Sequence, residues 1–217
     1  MSKVALVTGA TSGIGLATTH TLVKNDYNVI ICGRRSDRLD SLSSEYGDRV
    51  RPLVFDVRER QKVEELLTNL PEAWKNIDVL VNNAGNAHGL APIEEGSLED
   101  WEAMIDINVK GLLYVSKAII PGMVQRRSGH IVNIGSIAGK EVYPNGNVYC
   151  ASKHAVDAIN GGMRLDLNQY GIKVSAINPG LVETEFSKVR FKGDEERAAS
   201  VYTGFTPLTA QDIADVI

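Results

Sequence analysis

Tyr149 and Lys153 stand four positions apart in the segment NVYCASKHAV, residues 147–156. On a helix, side chains at i and i+4 share a face. The spacing therefore brings a phenol and an ammonium together among small and apolar neighbours. A phenol can take and give a proton, and a nearby positive charge favours its ionised form. Lowering its pKa from about 10 to about 7–8 takes roughly 3–4 kcal/mol of preferential stabilisation of the phenolate. The pair reads as a tuned acid/base. A lysine stem lying over a tyrosine ring is the alternative this short segment leaves open.

A second group is TGATSGIG, Thr8 to Gly15, which follows an apolar strand pattern and opens a helical one. Its glycines permit a tight turn and let backbone N–H groups approach a pyrophosphate at a helix N-terminus. Gly9, Thr11, Ser12, Gly13, Ile14 and Gly15 are the candidate contacts. Arg34 follows Gly15 by 19 positions, where an acidic residue would bind the ribose hydroxyls of NAD. An arginine there accommodates the 2′-phosphate of NADP. Arg34 and Arg35 together suit a phosphate by charge and by forked geometry; a solvated basic turn is the alternative. Asp56 is placed to accept from an adenine amino group, and Asn83, Ala84 and Gly85 to line a cofactor with backbone. Taken singly, each of these is an ordinary strand-end turn.

These residues need elements to carry them. Runs rich in Val, Ile and Leu at 4–9, 28–34, 50–57, 78–85, 130–136 and 173–180 read as strands, several of them buried on both faces. Helical patterns lie near 13–26, 36–46, 59–74, 99–124 and 149–169. The alternation predicts an α/β fold with a doubly wound, Rossmann-type parallel sheet in strand order 3-2-1-4-5-6. Each strand ends in polar or glycine residues, and in such a sheet those ends converge on one crevice. Ser136 ends the fifth strand and Tyr149 opens the next helix, so both reach it. Residues 181–208 form a long segment of mixed charge, read as a mobile substrate lid with some helix.

The chain of 217 residues is 43% hydrophobic and 23% charged, with net charge −4 and no block of like charge. That suits one globular domain over 1–217 and recommends neither nucleic acid nor a membrane as partner. No apolar run reaches the ~18–20 residues of a membrane span, and the N-terminus does not read as a signal peptide. Cys32 and Cys150 fit a reducing cytoplasm, and Cys150 beside Tyr149 reads as a small buried hydrophobe, with a reactive thiol as the alternative. No Cys/His cluster has metal spacing.

TGATSGIG, NNAG, Asn108, Ser136 and YCASK together resemble the short-chain dehydrogenase/reductase family over almost the whole chain. The resemblance implies Tyr149 as catalytic acid/base, Lys153 as its electrostatic partner and ribose ligand, and Ser136 as anchor of the substrate oxygen. Asn108 would hold a water that relays protons from Lys153. The implied NADP(H) contacts also include Val57, Pro179, Gly180, Val182 and Thr184. LPEAWKNIDVLVNNAG, GNVY and TEFSKVRFKGD are similar to the NADP-dependent 3-hydroxy acid dehydrogenase branch, which acts on serine, allo-threonine or 3-hydroxyisobutyrate. A carboxylate substrate would want a basic partner, and Lys188, Arg190 and Lys192 stand on the lid; Arg190 is the candidate, and a solvated lid face the alternative.

Two alternatives stay open: a short-chain reductase of another ketone, sugar or lipid carbonyl, and a non-catalytic NADP-binding regulator. Small residues on the last long helix (Ala151, Ala155, Ala158, Gly161, Gly162) permit close contacts, and the resemblance implies a homotetramer. The family continues past TAQDIADVI into a seventh strand that this chain lacks, so Ile217 is expected not to be the native terminus. Thr209 should cap that last helix with Asp212, and Ile213, Val216 and Ile217 should form its apolar face.

Overall fold

The computed structural model describes residues 2–217. Six strands form its main sheet: β1 (Val4–Thr8), β2 (Asn28–Gly33), β3 (Val50–Val54), β4 (Ile77–Asn82), β5 (His130–Ile134) and β6 (Lys173–Ile177). All neighbours pair in parallel, in the order β3-β2-β1-β4-β5-β6. This is the expected topology. Central β1 is buried at all five positions, because helices cover both faces of the sheet. Alternate residues feed two cores. Leu6, Ile30, Leu80 and Ile131 point to one, and Val7, Val29, Ile31 and Val132 to the other.

The second core takes Leu22 and Val23 from α1 (Gly13–Lys24) and Leu39 and Leu42 from α2 (Ser36–Tyr46). The first takes Val63 and Leu67 from α3 (Arg60–Thr68). The expected helix over 59–74 ends at Thr68, and a single turn, α4 (Glu72–Lys75), follows Pro71. Proline cannot donate to the preceding turn and disfavours helix in the residue before it.

The expected helix over 99–124 is also divided. It comprises α5 (Leu98–Ile105), a π-helical turn over Asp106–Gly111, and α6 (Leu112–Arg126). Such a wide turn inserts one residue per loop and often marks functional sites; here it carries Asn108. The long helix α7 (Asn147–Leu167) follows β5 and presents Tyr149 and Lys153.

Beyond β6, the chain forms β7 (Val182–Glu183), α8 (Phe186–Arg190), α9 (Glu195–Ser200) and β8 (Leu208–Thr209). The two short strands pair in parallel and close the base of the segment, with Leu208 N–H donating to the Leu181 carbonyl at 2.9 Å. Two-residue strands have no sequence period to betray them. The terminal turn α10 (Ala210–Ala214) has its Thr209–Asp212 capping box and packs on α1, where Gln211 donates to Thr21. Ile213 is buried and Ile217 packs on the second core, but Val216 is 67% exposed and lies off the expected apolar face.

Candidate active site

The site begins at the end of β1. Gly9 and Gly13 have φ of +66° and +51°, which glycine adopts without strain. A Cβ on Gly15 would overlap the Gly9 carbonyl and the Asn83 amide. The neighbouring strand end holds this turn in place: Asn83 Nδ2 donates to the Thr8 carbonyl at 2.8 Å, and the Asn83 and Ala84 N–H groups donate to Thr8 Oγ1 at 3.0 and 2.9 Å. Thr184 closes over Gly13 from the segment after β6. The turn, Asn83–Gly85 and Pro179–Thr184 thus bound one cleft at the sheet's carboxyl edge.

The two arginines after β2 diverge. Arg35 folds onto the turn, its Nη2 donating to Thr11 Oγ1 at 2.8 Å and to Ser12 Oγ at 2.7 Å. Arg34, 64% exposed in its side chain, points to Asp56 at 3.7 Å. Asp56 also accepts from Arg58 at 2.7 Å. Burial would raise the Asp56 carboxyl, but Arg58 and Arg34 outweigh it and hold it below the usual carboxylate range. Val57 turns its side chain into the first core, beside Gly111, so only its backbone is left to line a cofactor.

Two residues of this region had no signal in the sequence reading. Arg38, on the first turn of α2, and Arg35 both donate to Glu185, at 2.8 and 2.9 Å. Glu185 lies about 150 positions away, so no local pattern announces the contact. The Arg35 hydrogen bonds, with Arg38 adding, hold the Glu185 carboxyl low.

Deeper in the cleft, α7 places the Tyr149 ring and the Lys153 ammonium 6.0 Å apart. Both are buried. Lys153 Nζ donates to the Ile134 carbonyl at 2.9 Å, at the end of β5. Gly139 makes room for this approach, since a Cβ there would press on the Lys153 backbone. Burial brings the Lys153 ammonium down to about 8. Burial also pushes the Tyr149 phenol up to about 12, while a hydrogen bond from Ser136 and the Arg190 charge pull it the other way. Within the chain alone, desolvation outweighs the groups that favour the phenolate.

Ser136 caps a short turn, its Oγ accepting from Ala138 N–H at 3.1 Å. Asn108 lies on the π-helical turn. Its Oδ1 accepts from Asn86 N–H at 2.8 Å, and its Nδ2 donates to the Asn86 carbonyl and to Ser152 Oγ at 2.8 and 3.0 Å. A Cβ on Gly85 would sit 3.1 Å from Asn108 Oδ1 and 3.6 Å from Lys153 Nζ. Glycine 85 is therefore where amide, ammonium and cleft meet.

The basic trio Lys188, Arg190 and Lys192 separates. Lys188 pairs with Glu195 at 2.8 Å, and Lys192 with Asp100 at 3.0 Å. Arg190 instead lies 5.7 Å from the centres of both the Tyr149 and Tyr143 rings and lines a cavity of about 130 Å³ with Tyr149. Phe186, also from α8, packs on the Tyr149 ring at 5.9 Å. Cys150 and Cys32 are both buried and unpaired. Among the described residues no cluster of His, Cys, Asp or Glu could hold a metal ion, and no helix is long and apolar enough to cross a membrane.

A glycine turn at the switch point of an open parallel sheet, with a buried Ser–Tyr–Lys group beside it, defines a dinucleotide-dependent oxidoreductase. Comparison with known proteins agrees. Residues 3–195 match the family described as short chain dehydrogenase, and the chain belongs to that family. It is 49% identical over 215 residues to an NADP-dependent 3-hydroxy acid dehydrogenase of Salmonella typhi, covering 99% of this chain and 87% of the relative. It is 42% identical over 217 residues to a serine 3-dehydrogenase of Rhizobium radiobacter, covering all of this chain and 87% of the relative. The closed form of a serine dehydrogenase complexed with NADP+ superimposes with a TM-score of 0.96 at 48% identity, covering 98% of this chain and 86% of that one.

Proposed function

We propose that this protein reversibly oxidises a 3-hydroxy acid of the serine, allo-threonine or 3-hydroxyisobutyrate type to the matching 3-oxo acid or semialdehyde. It is an NADP-dependent oxidoreductase acting on CH–OH groups. The observation that carries the acid specificity is Arg190, which extends from the lid to within 5.7 Å of the Tyr149 ring centre in the same small cavity. A carboxylate held by that guanidinium leaves a hydroxyl two carbons away within reach of Ser136 and Tyr149. Relatives sharing 42–49% identity bear the names serine 3-dehydrogenase and NADP-dependent 3-hydroxy acid dehydrogenase.

The residues fit NADP(H): the turn has the backbone freedom that pyrophosphate needs, and Arg35 beside it would hold the 2′-phosphate in exchange for bonds it now makes to Thr11, Ser12 and Glu185. When bound, NADP+ would supply the hydride acceptor and a positive charge that favours the Tyr149 phenolate. Tyr149 takes the substrate hydroxyl proton, and in reduction returns one. Ser136 orients the reacting oxygen. Lys153 bonds the ribose, and its proton is replenished through water held by Asn108. Residues 181–208 act as a lid, tied at its base by β7 and β8. We assign the protein to the cytoplasm and to a homotetramer packed partly through the exposed small residues of α7.

NADP-coupled kinetics across 3-hydroxy acids, 2-hydroxy acids and simple alcohols test the reading. The highest kcat/KM is expected for a 3-hydroxy acid, and a preference for uncharged alcohols would sink it. Arg190→Ala should raise KM for that acid by about tenfold or more, the scale of a lost charge-assisted hydrogen bond. KM for a neutral ketone should change far less. An unchanged ratio between acid and neutral substrates would remove Arg190 from the substrate site.

A further inference from the structure

The cavity beside Tyr149 has a wall for which the proposed chemistry supplies no role. His88 lines it, and its Nδ1 is buried with no hydrogen-bond partner. A buried polar atom left unpaired is expensive. The other ring nitrogen is occupied: Nε2 lies 2.6 Å from Asn86 Nδ2. With the Asn86 amide in this orientation, its Oδ1 also buried and unpaired, Nε2 accepts and a neutral ring carries its proton on Nδ1. Burial lowers the His88 pKa; Asp100 opposes this, while Lys192, Arg34 and Arg58 add to the lowering. Burial thus favours the neutral ring, which in that tautomer has one donor unused.

The position of that donor is fixed from two sides. Asn86 is clamped by Asn108 through both of its backbone groups. On the other side, Gly89 N–H donates to the Arg190 carbonyl at 3.0 Å, and Arg190 Nε donates to the Gly89 carbonyl at 3.0 Å. The residue after His88 is thus tied to Arg190, and both side chains line the same cavity.

We propose that His88 is a substrate-contacting, specificity-determining residue whose Nδ1–H donates a hydrogen bond to a carboxylate oxygen of the 3-hydroxy acid, beside Arg190. The assignment rests on the 3-hydroxy acid reading above. A carboxylate has room for both donors, since each oxygen accepts more than one hydrogen bond. Asn86 would act as a positioning residue that fixes the tautomer.

Kinetics of His88→Leu and His88→Asn on a 3-hydroxy acid and on a neutral alcohol of the same length test it. Asparagine keeps an N–H donor as far from the backbone as Nδ1. The leucine variant should raise KM for the acid about tenfold, as for a lost hydrogen bond to a charged group. Its kcat, its KM for the neutral alcohol and its NADP(H) affinity should stay within about threefold of wild type, and asparagine should recover most of the loss. An equal loss on both substrates, or no loss on either, overturns the assignment. A wild-type enzyme that does not prefer the acid overturns the substrate reading first, and this assignment with it.

A measurement on the unmodified protein guards against a leucine variant that fails to fold. With 15N-labelled histidine, the His88 ring should carry its proton on Nδ1. That signal should shift when 3-hydroxybutyrate is added to the NADPH complex. A proton on Nε2, or a signal that 3-hydroxybutyrate leaves in place, overturns the proposal.

Discussion

Tyr149→Phe should abolish nearly all turnover while leaving NADP(H) binding close to wild type. The substitution removes one oxygen from a buried ring already packed by Phe186 and Arg190, so the fold has little to rearrange. General acid–base catalysis contributes about 10²–10⁴-fold, and the loss in kcat should fall in that range. Wild-type oxidation should rise with pH, because only the phenolate can take the hydroxyl proton, and reduction should fall with pH for the converse reason. In the protein alone, burial outweighs Ser136 and Arg190 and pushes the phenol up to about 12. The NADP+ complex should therefore titrate well below the free protein, because a positive charge then stands beside the ring. A Phe variant retaining more than about a tenth of wild-type kcat would remove Tyr149 from the acid/base role.

The second large effect is on cofactor choice. Replacing Arg34 and Arg35 by alanine should weaken NADP(H) about tenfold or more, at roughly 1.5–3 kcal/mol per charge-assisted hydrogen bond. NAD(H), which lacks the 2′-phosphate, should be affected little. The two residues should not contribute equally. Arg35 is bonded to Thr11 and Ser12 of the glycine turn, whereas Arg34 extends into solvent towards Asp56. Arg35→Ala should therefore cost more, and it also leaves Glu185 with Arg38 as its remaining guanidinium partner, so a less neutralised carboxylate lies near the incoming phosphate. Fluorescence titrations of NADPH and NADH onto each single variant would measure this. Equal weakening of both cofactors by Arg35→Ala would overturn the 2′-phosphate assignment.

The sequence alone determined the sheet and its order, and set Tyr149 and Lys153 on one helix. Runs such as VALVT and NVIIC have no polar face, so they must be buried on both sides, and their alternation with helical patterns leaves few topologies. The i, i+4 spacing of Tyr149 and Lys153 needs only one helix to become a contact. TGATSGIG needs only the next strand and helix. These features are local, and local physics reads them.

Tertiary structure decided what depends on partners far away in the chain. Thr8 is bonded to Asn83, Arg35 and Arg38 to Glu185, and Gly89 to Arg190, across separations that no periodicity spans. Lys188, Arg190 and Lys192 look equivalent in the sequence. Only the fold assigns Lys188 and Lys192 to acidic partners and leaves Arg190 over the Tyr149 ring. The π-helical turn at Asn108 was hidden because its apolar spacing continues the helical period on either side, while the extra residue per turn is a backbone property set by packing. His88 had no signal at all. An isolated histidine in a loop means little until a neighbour fixes one nitrogen and burial isolates the other.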